Sequence, residues 1–65
     1  MPSTVIADMK YDVHRRNLVV RFVSGLVYEY RDVPEKVFAA MKAATSKGSY
    51  LNRYIKGHYP YKKLS

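Results

Sequence analysis

Leu18-Val19-Val20-Arg21-Phe22-Val23-Ser24-Gly25-Leu26-Val27-Tyr28-Glu29-Tyr30-Arg31 is the stretch on which the fold of this chain turns. Leu18, Val20 and Phe22 alternate with Val19 and Arg21. Leu26, Tyr28 and Tyr30 alternate with Val27, Glu29 and Arg31. Such period-two alternation marks strands with one buried face. The turn decides which faces coincide. A two-residue Ser24-Gly25 turn would put Tyr28 and Tyr30 on the face of Arg21. A three-residue loop, Val23-Ser24-Gly25, opposes Phe22 to Leu26, Val20 to Tyr28 and Leu18 to Tyr30, and so gathers the large apolar groups on one side. It also sets Gly25 at the left-handed position of a bulged turn, where glycine meets the least steric resistance.

Toward the N-terminus, Val5, Ala7, Met9 and Tyr11 alternate with Ile6, Asp8 and Lys10. A four-residue loop, Val13 to Arg16, opposes Asp12 to Asn17, Tyr11 to Leu18 and Met9 to Val20, in agreement with the buried face of the second hairpin. The other face then carries Ile6, Asp8, Lys10, Val19, Arg21, Val27, Glu29 and Arg31. It has no aromatic side chain, and Asp8 stands opposite Arg21 in a lattice of nearly cancelling charge. That face reads as solvated surface rather than a base-stacking platform. Its Ile6, Val19, Val27 strip is either ordinary exposed surface or a weak dimer contact, so the expected state is monomer or weak dimer. Tyr28 and Tyr30 read as core side chains with hydroxyls at the rim, because a small isolated sheet must bury its only apolar face.

Toward the C-terminus, Asp32-Val33-Pro34-Glu35 has the form of a capping box with Asp32 as N-cap. Val37, Phe38, Met41 and Ala44 follow at helical spacing. Ser46 caps a second, shorter helix with the stripe Tyr50, Leu51, Tyr54, Ile55 and a stop at Gly57. Pro60 makes the tail after it extended. The predicted fold is α+β: a three-stranded antiparallel meander followed by two helices packed on one sheet face (β-β-β-α-α). It forms a single domain over 1–65, with 1–4 and 62–65 as flexible ends.

Charge is divided unevenly along the 65 residues. All five acids (Asp8, Asp12, Glu29, Asp32, Glu35) lie in the first 35 positions, balanced there by five basic groups. The whole formal +7 sits on residues 36–65. The same basic half holds Tyr50, Tyr54, Tyr59 and Tyr61. A one-sided positive field with aromatic rings inside it suits a polyanion. There is no cysteine, and His14 and His58 are far apart, so neither a disulfide nor a metal site nor any cofactor is expected. No apolar run approaches the roughly 20 residues that span a bilayer, and no signal peptide is read. A cytoplasmic protein without membrane contact fits these features. No serine has a His–carboxylate partner on the strand faces, and no glycine-rich phosphate loop exists, so neither an enzyme nor a small-molecule substrate is expected.

The candidate nucleic-acid contacts are Lys47, Gly48, Ser49, Asn52, Arg53, Lys56, Lys62 and Lys63. Lys47, Gly48 and Ser49 open the second helix, whose N-terminal amides favour a phosphate. Arg53 and Lys56 lie three apart and share a face, with Asn52 beside them to bond a base edge or water. The alternative for this lysine-rich surface is solubility alone. Arg15 and Arg16, at the first hairpin tip, are a second possible contact. Tyr59 and Tyr61 either stack on bases or staple the tail to the domain.

These pieces, in this order, resemble the KTSC domain family, named for its occurrence at the C-terminus of some lysyl-tRNA synthetases and found also as small free-standing proteins of bacteria and phages. The resemblance runs from about Val5 to Leu64. It is carried by Tyr11-Asp12, Leu18-x-Val20-x-Phe22, the central Tyr28-x-Tyr30, Val33-Pro34, Ser46-x-Gly48-x-Tyr50-x-Asn52, and Ile55, Gly57 and Tyr59. Leu51 stands where a phenylalanine is common. The resemblance implies RNA binding and supplies no catalytic residue. The function expected is a small nucleic-acid-binding module, RNA before DNA, that captures phosphates on its C-terminal helix and tail. The alternative is a protein-interaction module that docks on an acidic partner.

Overall fold

The two hairpins form in the expected register. In the computed structural model, which describes residues 6–64, β1 (Ile6–Asp12), β2 (Asn17–Phe22) and β3 (Val27–Tyr30) make an antiparallel meander. Asp12 opposes Asn17, Tyr11 opposes Leu18, Met9 opposes Val20, and Leu18 and Val20 oppose Tyr30 and Tyr28. The Asp12 carboxylate accepts the His14 and Arg15 amides at 2.9 and 3.2 Å, which fixes the first turn. In the second turn Phe22 N–H donates to Leu26 O at 2.8 Å, and Gly25 takes φ +97°, the left-handed geometry its position called for.

Two details of this half differ from expectation. Ile6 opposes Phe22 while Asp8 opposes Arg21, so a bulge falls between Ile6 and Asp8. The extra residue turns Ile6 inward against the core and leaves Ala7 exposed. Burial of the isoleucine outweighs strict alternation, and the expected outward strip shrinks to Val19 and Val27. Val5 and the predicted end 1–4 lie outside the described residues. The capping box also does not form. Pro34 is the N-cap of α1 (Glu35–Ala43), with no side-chain cap, and Asp32 sits earlier in a left-handed turn at φ 59°. Pro34 holds Val33 extended. Val33 is fully buried, and its amide donates to Arg16 O at 2.9 Å.

The second helical segment begins as read: the Ser46 hydroxyl accepts Ser49 N–H at 3.3 Å at the start of α2 (Lys47–Tyr50). It then widens into a π-helical turn (Leu51–Ile55), where Lys56 N–H reaches back to Leu51 O at 2.7 Å. Gly57, at φ +84°, ends it. The tail is a fourth strand rather than an unpaired extension. β4 (Tyr61–Lys63) pairs antiparallel with β3, giving the sheet order β1-β2-β3-β4. Lys62 and Lys63, expected in a flexible end, are paired residues of that strand.

Both helical segments cover one sheet face. The buried cluster is Leu18, Val20 and Tyr30 from the sheet, Val33 from the connection, Met41 from α1, and Leu51 and Ile55 from the π turn. Stability for a chain of this length is of order 3–10 kcal/mol, so the loss of one of these buried side chains removes a large fraction of it.

Candidate functional site

β4 makes the site. It sets Tyr61 opposite Tyr30 and Lys63 opposite Tyr28, which extends the inner face with a fourth column. The result is a continuous aromatic wall. Phe22 meets Tyr28 edge-on at 5.6 Å, Tyr28 meets Tyr61 edge-on at 5.5 Å, and Tyr61 lies 5.7 Å from Tyr30. The second helical segment crosses in front of it. Between the two lies a pocket of about 230 Å³, with Gly48, Leu51, Asn52 and Lys56 on the helical side. Phe22, Tyr28, Asn52 and Lys56 also line a groove of about 400 Å³ that continues along Val23, Ser24 and Leu26. On the other side of Asn52, a broader depression is lined by Ser46, Ser49, Tyr50, Arg53 and Tyr54.

The π turn explains how Asn52 reaches all three. Leu51 and Ile55 hold the segment to the core, and Asn52, Arg53 and Tyr54 between them are exposed. Turns of this kind are rare and occur often at functional sites.

The electrostatics divide the surface. Among the described residues, no acidic side chain lines any of the three depressions that Asn52 joins. The depression beside β1 and α1 contains Asp8 with Lys42 and Lys47, and the one near the first hairpin tip contains Asp12 and Glu29 with Lys10 and Arg15. Within the aromatic wall, the Tyr30 phenol is pushed above its usual range, first by burial and then by the neighbouring Tyr28 and Tyr61 phenols. It is a neutral hydroxyl at physiological pH.

The sequence-predicted residues separate into groups. Asn52, Lys56 and Tyr61 converge on the pocket, with Gly48, which is buried, in its wall. Arg53 flanks the pocket across Asn52. Lys63 shares the sheet face of Tyr28 by register, whereas Lys62 opposes Glu29 on the outer face. At the N-terminus of α2 Gly48 is buried, Ser46 occupies the Ser49 amide, and Lys47 lines the groove that contains Asp8. Arg15 and Arg16 sit in the turn at the far end of β2 from Phe22, and the Arg16 carbonyl binds Val33. Tyr59 packs against the core, so it staples the tail. Tyr61 remains 60% exposed. Sequence reasoning missed Phe22 and Tyr28 as pocket walls. The signal was the alternation Tyr59, Tyr61, Lys63, which marks a strand that would carry Tyr61 to their side.

The sequence model of the KTSC domain matches residues 2–59. The chain belongs to the KTSC domain family. The crystal structure of a KTSC domain protein from Yersinia pestis superposes with a TM-score of 0.87 at 31% identity, covering 100% of this chain and 94% of that one. A lysine–tRNA ligase of Nostoc punctiforme is 39% identical over 63 residues, 97% of this chain but 11% of the ligase. An uncharacterized protein of Stutzerimonas stutzeri is 34% identical over 65 residues, 98% of this chain and 92% of its own length. This KTSC domain thus spans about a tenth of the ligases it matches and nearly all of the short relative. Among the described residues no helix is long and apolar enough to cross a membrane.

Proposed function

We propose that this KTSC domain is a nucleic-acid-binding module of the bacterial cytoplasm, specific for single strands and for RNA before DNA, with no catalytic step. What supports the reading is the surface around Asn52, without an acidic side chain among the described residues, where Lys56 shares a pocket with the exposed ring of Tyr61, Lys63 stands on the same sheet face opposite Tyr28, and Arg53 lies across Asn52. Cations fix a phosphate backbone, and an exposed aromatic ring takes a base by stacking. Single strands suit a pocket walled by rings better than a duplex, whose bases are already stacked. RNA is preferred because the longer relatives are ligases of a transfer RNA.

Replacing Arg53, Lys56 and Lys63 with Glu removes binding to a short single-stranded RNA in a domain that remains folded by circular dichroism. For the native domain, log affinity falls with log salt by about 0.7 for each phosphate held on a single strand. A folded triple variant that binds as well as the native domain contradicts the proposal. An acidic protein is the alternative partner for such a surface. Co-purification separates the two, since nucleic acid raises the 260/280 absorbance ratio and a stoichiometric acidic protein does not.

A further inference from the structure

The pocket behind Asn52 has a shape that phosphate capture alone does not require. It is more enclosed than the depressions around it, lies under the helical segment, and is walled by Phe22, Tyr28 and Tyr61. Its lining includes one amide, Asn52, and one cation, Lys56, and no acidic side chain among the described residues. An amide offers a donor and an acceptor side by side, which matches the edge of a base, whereas a phosphate, which only accepts, would use its N–H donors alone. The wall offers ring faces and edges, which suit a flat aromatic guest. Lys56 disfavours a cationic guest and attracts an anion attached to it.

We propose that this pocket takes one unpaired nucleobase of a single strand, with the ring inserted against Tyr61 and Tyr28, its polar edge read by Asn52, and the adjoining phosphate held by Lys56. The inference rests on the single-strand reading above and adds a base-binding subsite to it. Asn52 and Tyr61 then act on the base, while Lys56 acts on the backbone and makes no distinction between strands with and without a base.

The probes are two short strands of equal charge: one made wholly of abasic spacers, and one with a single central base. In the native domain the single base raises affinity about tenfold or more. Asn52→Ala and Tyr61→Leu remove that gain while leaving affinity for the abasic strand nearly unchanged, and Lys56→Ala weakens both strands alike. Both Asn52 and Tyr61 are exposed, so these variants keep the fold, as an amide NMR spectrum verifies. Equal affinity of the native domain for the two strands overturns the base pocket and leaves phosphate capture standing. A gain that survives both variants places the base elsewhere and overturns it too. Failure to bind either strand at low salt overturns both readings.

Discussion

The two flanks of the inner sheet face use the same residue type to opposite ends. Beside β1, Tyr11 stacks on Phe38 at 5.0 Å with the rings nearly parallel, and its hydroxyl donates to Val33 O at 2.6 Å. That tyrosine is closed over by α1. Beside β4, Tyr28 and Tyr61 meet edge-on, and a pocket stands in front of them. Charge follows the same division, mixed beside β1 and wholly basic around Asn52. One flank holds the domain together, and the other leaves aromatic surface for a guest.

Truncating the central core and truncating the open flank should break this comparison most strongly. Leu18 is fully buried, and Leu18→Ala should cost about 2–5 kcal/mol, a large share of the stability of so small a domain. Denaturant unfolding would show a lost or much lowered midpoint. Tyr61→Ala, at an exposed edge position, should shift stability by less than about 1 kcal/mol yet lower affinity for a single strand. A Tyr61 variant that unfolds would merge the two flanks into one core.

The link between the flanks is next. Gly57 ends the π turn in the left-handed region and aims the tail at β3. A Cβ there would meet nothing within 4 Å, so Gly57→Ala should cost only the backbone term, about 1–2 kcal/mol, read as a lowered melting temperature. No loss would mean that the tail does not depend on this turn.

Alkaline titration sharpens the contrast by a smaller amount. The Tyr30 phenol lies above its usual value because it is buried beside Tyr28 and Tyr61. The folded state therefore holds this proton more tightly than the unfolded chain. The contribution is complete below a pH of about 10 and is lost as pH rises through the raised folded value. Thermal melts between neutral and strongly alkaline pH should show native stability falling there, and Tyr30→Phe should flatten the fall. The smallest effect is expected from Arg15→Ala and Lys47→Ala. Both residues stand in the depressions that contain acids, so single-strand affinity should change by no more than about twofold. A loss equal to that of Lys56→Ala would extend the interface to the other flank.

The meander was legible because each apolar position is checked by a partner: Phe22 with Leu26, Val20 with Tyr28 and Leu18 with Tyr30 admit one loop length. The bulge that turns Ile6 inward was not, since alternation cannot register an extra residue whose burial wins locally. β4 was hidden by its length of three residues and by lysines that read as a solvated tail. The π turn was hidden because Leu51 and Ile55, four apart, suit an α-helix equally well. The charged half of the site was visible as charge segregation. Its aromatic half was not, because Phe22 and Tyr28 belong to the core by pattern and become a pocket wall only once β4 sets Tyr61 beside them.

The central claim is that the flank around Asn52 is the binding surface. The most direct measurement is an amide NMR titration of the labelled domain with a short single-stranded RNA at low and at moderate salt. The account predicts shifts at Asn52, Arg53, Lys56, Tyr61, Lys63 and the Phe22–Leu26 turn that shrink as salt rises, with α1 unmoved. Shifts centred on α1 and β1, or none at low salt, would contradict it.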